Sequence, residues 1–168
     1  VTAAHMIRQA KRPLLLIAAA ANRHSISEEL NAFLDKTGIH FLSTQMGKGV
    51  VDQRHPQCLG TAALSDSDYI HCAIASADLI INVGHDVVEK PPFFMNQEAS
   101  VIHINYSPAQ IDDVYFPSHE LVGDIASSLN ALTETITSCD CMEPDDYRDI
   151  KKAIDKHVYS CGGNTSHP

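Results

Sequence analysis

Apolar positions along the chain fall into two spacings that alternate. Arg12-Pro13 precedes the unbroken run Leu14-Leu15-Leu16-Ile17-Ala18, the pattern of a parallel strand covered on both faces. Ser25 and Glu28 then form a capping-box pair, and Ile26, Leu30, Phe33 and Leu34 lie on one helical stripe that stops at Gly38. A second strand follows from Ile39 to Ser43. Between Thr44 and Arg54 there is no period, and a weak strand passes through Cys58 and Leu59. Asp66 is placed to cap a helix with Ile70, Ala73, Ile74 and Ala77 inward. Asp78 then leads into Leu79-Ile80-Ile81-Asn82-Val83-Gly84, the clearest buried strand in the sequence. Val101 to Asn105 and Glu120 to Val122 read as further strands, and Asp124 caps a helix whose inner stripe is Ile125, Leu129, Leu132 and Ile136. Ala3 to Ala10, apolar at Met6 and Ile7, adds a helix on one face.

Strand, helix, strand with short connections implies right-handed crossovers. The fold class is therefore α/β: a doubly wound, Rossmann-like parallel sheet of five or six strands with helices on both faces. Past Ser138 the composition changes. Asp140 to Lys156 is dense in charge, with Tyr147, Ile150 and Ile154 at helical spacing, and Gly162-Gly163-Asn164-Thr165-Ser166 follows. We expect one domain over 1–138 and a solvated linker helix with a flexible tail over 139–168.

The length, 168 residues, suits a single domain of ~150 residues. Lys and Arg number 12 against 21 Asp and Glu, a net charge of −9 that repels phosphate backbones and anionic lipid. Nucleic acid and membrane are not expected partners. No apolar run reaches the ~18 residues of a membrane span, and Val1 to Ala10 lacks a signal peptide's pattern. A cytoplasmic location is expected. Five scattered cysteines fit reduced thiols better than a disulfide framework. A start at Val1 and an end at Pro168 suggest a processed chain or a piece of a longer one.

Ligands of open parallel sheets bind beyond the carboxyl ends of the strands. Five turns lie there: Ala19-Ala20-Ala21-Asn22, Thr44-Gln45-Met46-Gly47-Lys48-Gly49, Gly84-His85-Asp86, Asn105-Tyr106-Ser107-Pro108 and Gly123-Asp124. Small residues in such turns let backbone N–H groups approach an anion, so a nucleotide crevice is one reading. Turns and caps built for their own sake are the other. Specific fingerprints are missing. Gly47-Lys48-Gly49-Val50-Val51-Asp52 fails G-x-G-x-x-G at its last position, Lys48 lacks the Ser or Thr of a Walker motif, and alanines occupy the first turn. Ten histidines show no metal-ligand spacing, and Cys139-Asp140-Cys141 reads as two plain thiols. No nucleophile elbow or spaced carboxylate pair marks a catalytic centre; His85-Asp86 is the one local acid and base neighbourhood.

The order of these motifs is nevertheless distinctive. Ala10 to Ala18, Thr44 to Gly49 with His55-Pro56-Gln57-Cys58-Leu59-Gly60, Ala77 to Gly84, Val101 to Asn105, and Val122-Gly123-Asp124-Ile125 together resemble the central domain of thiamine-diphosphate-dependent carboligases and decarboxylases. Acetolactate synthases are the nearest branch, and the resemblance runs from about Ala3 to Ile136. It implies a middle domain between pyrimidine- and diphosphate-binding domains of one chain, which hold thiamine diphosphate and Mg²⁺, in a homodimer or homotetramer. Full-length relatives join two 2-oxo acids with loss of CO₂. Neither the cofactor-activating glutamate nor the Mg²⁺-holding Gly-Asp-Gly…Asn motif is present, so the 168-residue chain is expected to be inactive alone.

Some relatives hold FAD in this domain. The matching positions are Ala19, Ala20 and Ala21 by the diphosphate, Met46 and Gly47 by the flavin, Gly84 and His85 on ribose and phosphate, and Asn105 and Asp124 around the adenosine. Alanines replace the glycine-rich first turn, and Asn105-Tyr106 stands where an acid would accept a ribose hydroxyl. The Gly84 to Pro92 stretch looks more like the catabolic, flavin-free branch. The resemblance thus implies weak or no FAD binding and a scaffold role with a vestigial crevice. The alternative is a genuine FAD- or NAD-binding module. Pro91-Pro92-Phe93-Phe94-Met95 is a candidate for domain docking, with a loop folded onto its own core as the equal alternative.

Overall fold

A computed structural model describes residues 1–23, 26–62, 69–86, 89, 98–111, 115–136 and 145–162. Ser25, Asp66, the 91–95 run and Cys139-Asp140-Cys141 lie outside them. Six parallel strands form one sheet: β1 (Pro13–Ile17), β2 (His40–Ser43), β3 (Cys58–Thr61), β4 (Leu79–Val83), β5 (Ser100–Asn105) and β6 (His119–Val122), in spatial order β3-β2-β1-β4-β5-β6. The order reverses between β1 and β4, which places a switch point between their carboxyl ends.

Alternation along each strand sends side chains to two separate cores. Leu15 and Ile17 of β1, Ile81 and Val83 of β4 and Ile102 and Ile104 of β5 join one cluster. Three helices complete it: α1 (Thr2–Gln9), α3 (Ser27–Thr37) and α5 (Ile125–Thr135), through Ile7, Leu30, Phe33, Leu34, Leu129 and Leu132. Leu14, Leu16, Ile80 and Val101 point the other way, against α4 (Tyr69–Ser76) and α6 (Asp145–Gly162). The five-residue α2 (Ala19–Arg23) follows β1 directly.

Local signals account for most of these boundaries. Gly38 ends α3 in the left-handed region, φ 67°, with its N–H on the Leu34 carbonyl. Asp124 caps α5 by accepting from the Ser127 N–H at 2.8 Å. The start of α3 departs from the capping-box expectation. Its N-cap position is Ile26, which makes no side-chain cap bond, and Ile26 is instead buried in the core. Glu28 and Glu29 in the first turn supply the negative charge that a helix start favours.

The charged segment also holds more than its solvated face suggests. Tyr147 of α6 is buried in the second core, lies tilted against the His40 ring of β2 with centroids 5.4 Å apart, and donates its hydroxyl to the Arg12 carbonyl at 3.1 Å. Ile150 and Ile154 pack on the same cluster. The amino end of the sheet is tied by Asp78, whose carboxylate accepts from the backbone N–H groups of Lys11 (2.7 Å) and Arg12 (2.9 Å). Asp78 thus does more than open β4: it fixes the entry to β1. Cys58 and Cys72 are both free thiols.

Asp78→Ala should lower the unfolding free energy by about 1.5–3 kcal/mol, the range for hydrogen bonds to a charged group. A urea melt reads it as an earlier midpoint at unchanged slope. An unshifted midpoint would show the bonds to be inconsequential. His40 gives a pH signature. Burial, helped by the cations Arg148 and Lys151, lowers its pKa from 6.5 to about 4. The unfolded chain then takes up a proton near pH 6.5 that the folded chain refuses until about pH 4. Stability is complete above 6.5 and declines as pH falls through that window. His40→Leu should make the decline shallower, with the buried His103, also shifted down, retaining part of it. Identical pH profiles for the two proteins would refute this.

Candidate functional site

The turn after β1 sits at the switch point, where doubly wound sheets take their ligands. Its backbone donors all have acceptors within the chain. The Ala18 N–H reaches the Val83 carbonyl at 2.9 Å, Ala20 the Gly84 carbonyl at 2.9 Å, and Ala21 the Ala18 carbonyl at 3.1 Å. The Ala19 N–H donates to a side chain, the Glu89 carboxylate, at 2.9 Å. The other Glu89 oxygen accepts a short bond from the Thr44 hydroxyl just past β2. Thr44 in turn accepts from the Gly47 N–H at 3.0 Å. A line of donors and acceptors therefore runs from the β2 turn, through Glu89, to the β1 turn.

Backbone packing draws the same turns together. A Cβ added at Gly47 would lie 2.1 Å from the Ile17 carbonyl oxygen, and one at Gly84 would lie 2.5 Å from the Ala21 nitrogen. Gly84 also has φ 75°, a conformation that favours glycine. Neither position tolerates a side chain. Met46 is 46% exposed, and its carbonyl accepts from the Asn22 side chain at 3.0 Å, which holds the loop against α2.

Of the eight residues singled out in the sequence, Ala20, Ala21, Gly47 and Gly84 converge at the β1, β2 and β4 ends. Met46 flanks them. Asn105 and Asp124 lie further along the edge. Asn105 donates to the His85 carbonyl at 2.7 Å and accepts from the Tyr106 N–H at 2.8 Å, so it braces the β4 and β5 turns. Asp124 holds the α5 cap and meets the Tyr106 hydroxyl at 3.5 Å. His85 turns its ring onto Tyr115, centroids 4.4 Å apart.

Sequence reasoning missed Glu89 and also missed a buried polar group beneath the β4 and β5 ends. Asn82 and His103 are side-by-side register partners on these strands, pointing to the second core. Both reach the Tyr115 hydroxyl: the Asn82 amide donates at 3.2 Å, and His103 Nδ1 lies at 2.8 Å. His103 Nε2 lies 3.1 Å from the Ser107 carbonyl, which can only accept. The tautomer follows: Nε2 carries the hydrogen and donates it to Ser107, and Nδ1 accepts a hydrogen bond from the tyrosine hydroxyl. Burial lowers the His103 pKa and raises that of Tyr115, so both stay neutral. The signal for this group was two polar residues in phase within apolar strands.

The family model for the thiamine pyrophosphate enzyme central domain matches residues 1–132. The chain belongs to this family. It is 32% identical over 142 residues to the acetolactate synthase large subunit of Porphyra purpurea, covering 81% of this chain and 22% of that protein. It is also 32% identical over 135 residues to 2-hydroxyacyl-CoA lyase 1 of Mus musculus, covering 79% of this chain and 22% of that protein. The chain thus spans about a fifth of the length of these curated relatives. A solved protein from Mycobacterium smegmatis, assigned to the thiamin diphosphate-dependent enzymes, shares the fold at TM-score 0.69 and 23% identity, over 86% of this chain and 28% of that one.

Membership implies thiamine diphosphate chemistry, and the residues of this central domain do not fit that group. Asp124 follows Gly123 but precedes Ile125, and its carboxylate caps α5. Among the described residues no three His, Cys, Asp or Glu side chains are grouped as a metal site would require. Nor is any described helix long and apolar enough to cross a membrane.

Gly47→Ala should destabilise the domain by at least ~1–3 kcal/mol, because its methyl meets backbone that cannot swing aside. Gly49→Ala, at a position with nothing within 4 Å but φ 93°, should cost only about 1–2 kcal/mol. Thermal melts compare the two. A Gly47→Ala protein as stable as the parent would contradict the close approach of these turns.

Proposed function

We propose that the chain is the central, non-catalytic domain of an acetolactate synthase, an enzyme that condenses two 2-oxo acids with loss of CO₂. The observation that carries this reading is the similarity to the Porphyra purpurea large subunit over 142 residues, within a family match over residues 1–132. Its role is scaffolding. The sheet holds the strand-end turns in fixed positions, and adjoining domains of the same polypeptide bind thiamine diphosphate and Mg²⁺ and carry out the chemistry. The complete enzyme is a cytoplasmic homodimer or homotetramer in this reading, with the domain proper over 1–138 and the charged segment beyond it, whose α6 packs back on the second core, leading onward. The Gly84 to Pro92 stretch, in its likeness to the catabolic, flavin-free branch, favours that branch.

A second reading draws on the reversal of strand order between β1 and β4, the position of a nucleotide crevice in doubly wound sheets. In it, the domain takes FAD or NAD through Ala20, Ala21, Met46, Gly47, Gly84, His85, Asn105 and Asp124. Ligand retained on the purified protein would favour it.

Pyruvate turnover with thiamine diphosphate and Mg²⁺ tests the first reading. The 168-residue chain should form no acetolactate, whereas the polypeptide that includes its flanking coding sequence should form it. Acetolactate from the chain alone would overturn the non-catalytic role. A longer polypeptide that releases acetaldehyde from pyruvate, or that cleaves 2-hydroxyacyl-CoA, would overturn the choice of acetolactate synthase.

A further inference from the structure

We propose that Glu89 determines the ligand specificity of the switch-point crevice, by keeping a carboxylate where the diphosphate of a dinucleotide would lie. The inference deepens the flavin-free reading above and rests on it. Ala19 and Thr44 stand at the ends of β1 and β2, on one side of the switch point, and Glu89 comes from the segment after β4, on the other. Its two oxygens take the Ala19 N–H and the Thr44 hydroxyl at once. The nearby donors of Ala20, Ala21 and Gly47 are held by Gly84, Ala18 and Thr44. Glu89 is the one charged acceptor in this set. Its own N–H is fixed on the Asp86 carbonyl at 2.9 Å, so the side chain projects from a closed turn.

A phosphate brought to the Ala19 turn meets two obstacles. The carboxylate repels it, and the donors it needs are already satisfied. Displacing Glu89 would break its two hydrogen bonds and still leave a carboxylate beside the incoming anion, in a protein already at −9. The alanines of the first turn are a smaller hindrance, because their N–H groups face acceptors in the same way that glycines' would. The chemical class excluded is therefore the nucleoside diphosphate, whether ADP, NAD or FAD. Thr44 acts with Glu89 as a positioning residue, passing the Gly47 N–H on to the carboxylate.

The test uses ADP and inorganic pyrophosphate with the 168-residue chain, by calorimetry and by amide NMR. In the parent protein, 10-fold molar excesses of either ligand should leave the Ala19 and Gly47 amide resonances in place. Glu89→Ala should bind ADP at least tenfold more tightly than the parent and shift those two amides. Glu89→Gln, which keeps an oxygen acceptor and removes the charge, should fall between. A parent protein that binds ADP as tightly as Glu89→Ala overturns the proposal, as does a folded Glu89→Ala that gains nothing. If Glu89→Ala fails to fold by circular dichroism, Glu89→Gln decides in the same way, and movement of the parent's Ala19 amide overturns the proposal with no variant at all. None of these outcomes depends on acetolactate formation. Loss of the carboligase assignment would leave the Glu89 result standing, and failure here would leave that assignment untouched.

Discussion

A parallel sheet leaves backbone donors at its carboxyl edge that must find acceptors, and in this protein the contact of Ala19 and Thr44 with Glu89 meets that demand at the point where the strand order reverses. The other edge features follow from it. Gly47 can pack against the Ile17 carbonyl because its N–H is held by Thr44, and Thr44 is oriented by the same carboxylate. Gly84 approaches Ala21 closely because Ala18 and Ala20 bond to the carbonyls of Val83 and Gly84. The edge is a set of interlocked turns, and its rigidity comes from bonds within one chain. That arrangement suits a scaffold, since neighbouring domains need a fixed surface more than an adaptable one.

Elements with a local signature were legible in the sequence. β1 and β4 announced themselves as apolar runs, and α5 as a capped stripe, because strand burial and helix capping are set by residues a few positions apart. Gly38 likewise marked the end of α3. The capping box read from Ser25 and Glu28 is not what starts α3: Ile26, which its stripe places correctly inside, takes the N-cap position and leaves no polar side chain there. Tyr147 was visible only as one apolar position in a charged segment; that spacing, not the charge, was the better guide to how α6 sits.

Glu89 was not legible, because its partners are 70 and 45 residues away and no pattern near it requires a carboxylate. Asp78 reached Lys11 and Arg12 across 67 and 66 residues for the same reason. Asn82 and His103 were within reach of inference. Each interrupts an apolar strand, and register pairs them, but the tyrosine whose hydroxyl both reach comes from a loop with no period. The candidate site was thus legible as a place, the set of turns beyond the strands, and not as a network, because its bonds join parts of the chain that only the folded topology brings together.

The tie between Tyr147 and Arg12 has a mechanical side. Arg12 lies just before β1, and its carbonyl is held by α6 while its N–H is held by Asp78 ahead of β4. Tension applied through the start of the chain and through α6 would meet at this junction, at the amino edge of the two central strands. Load would pass between helix and strand entry as shear on a few hydrogen bonds, without travelling along the sheet.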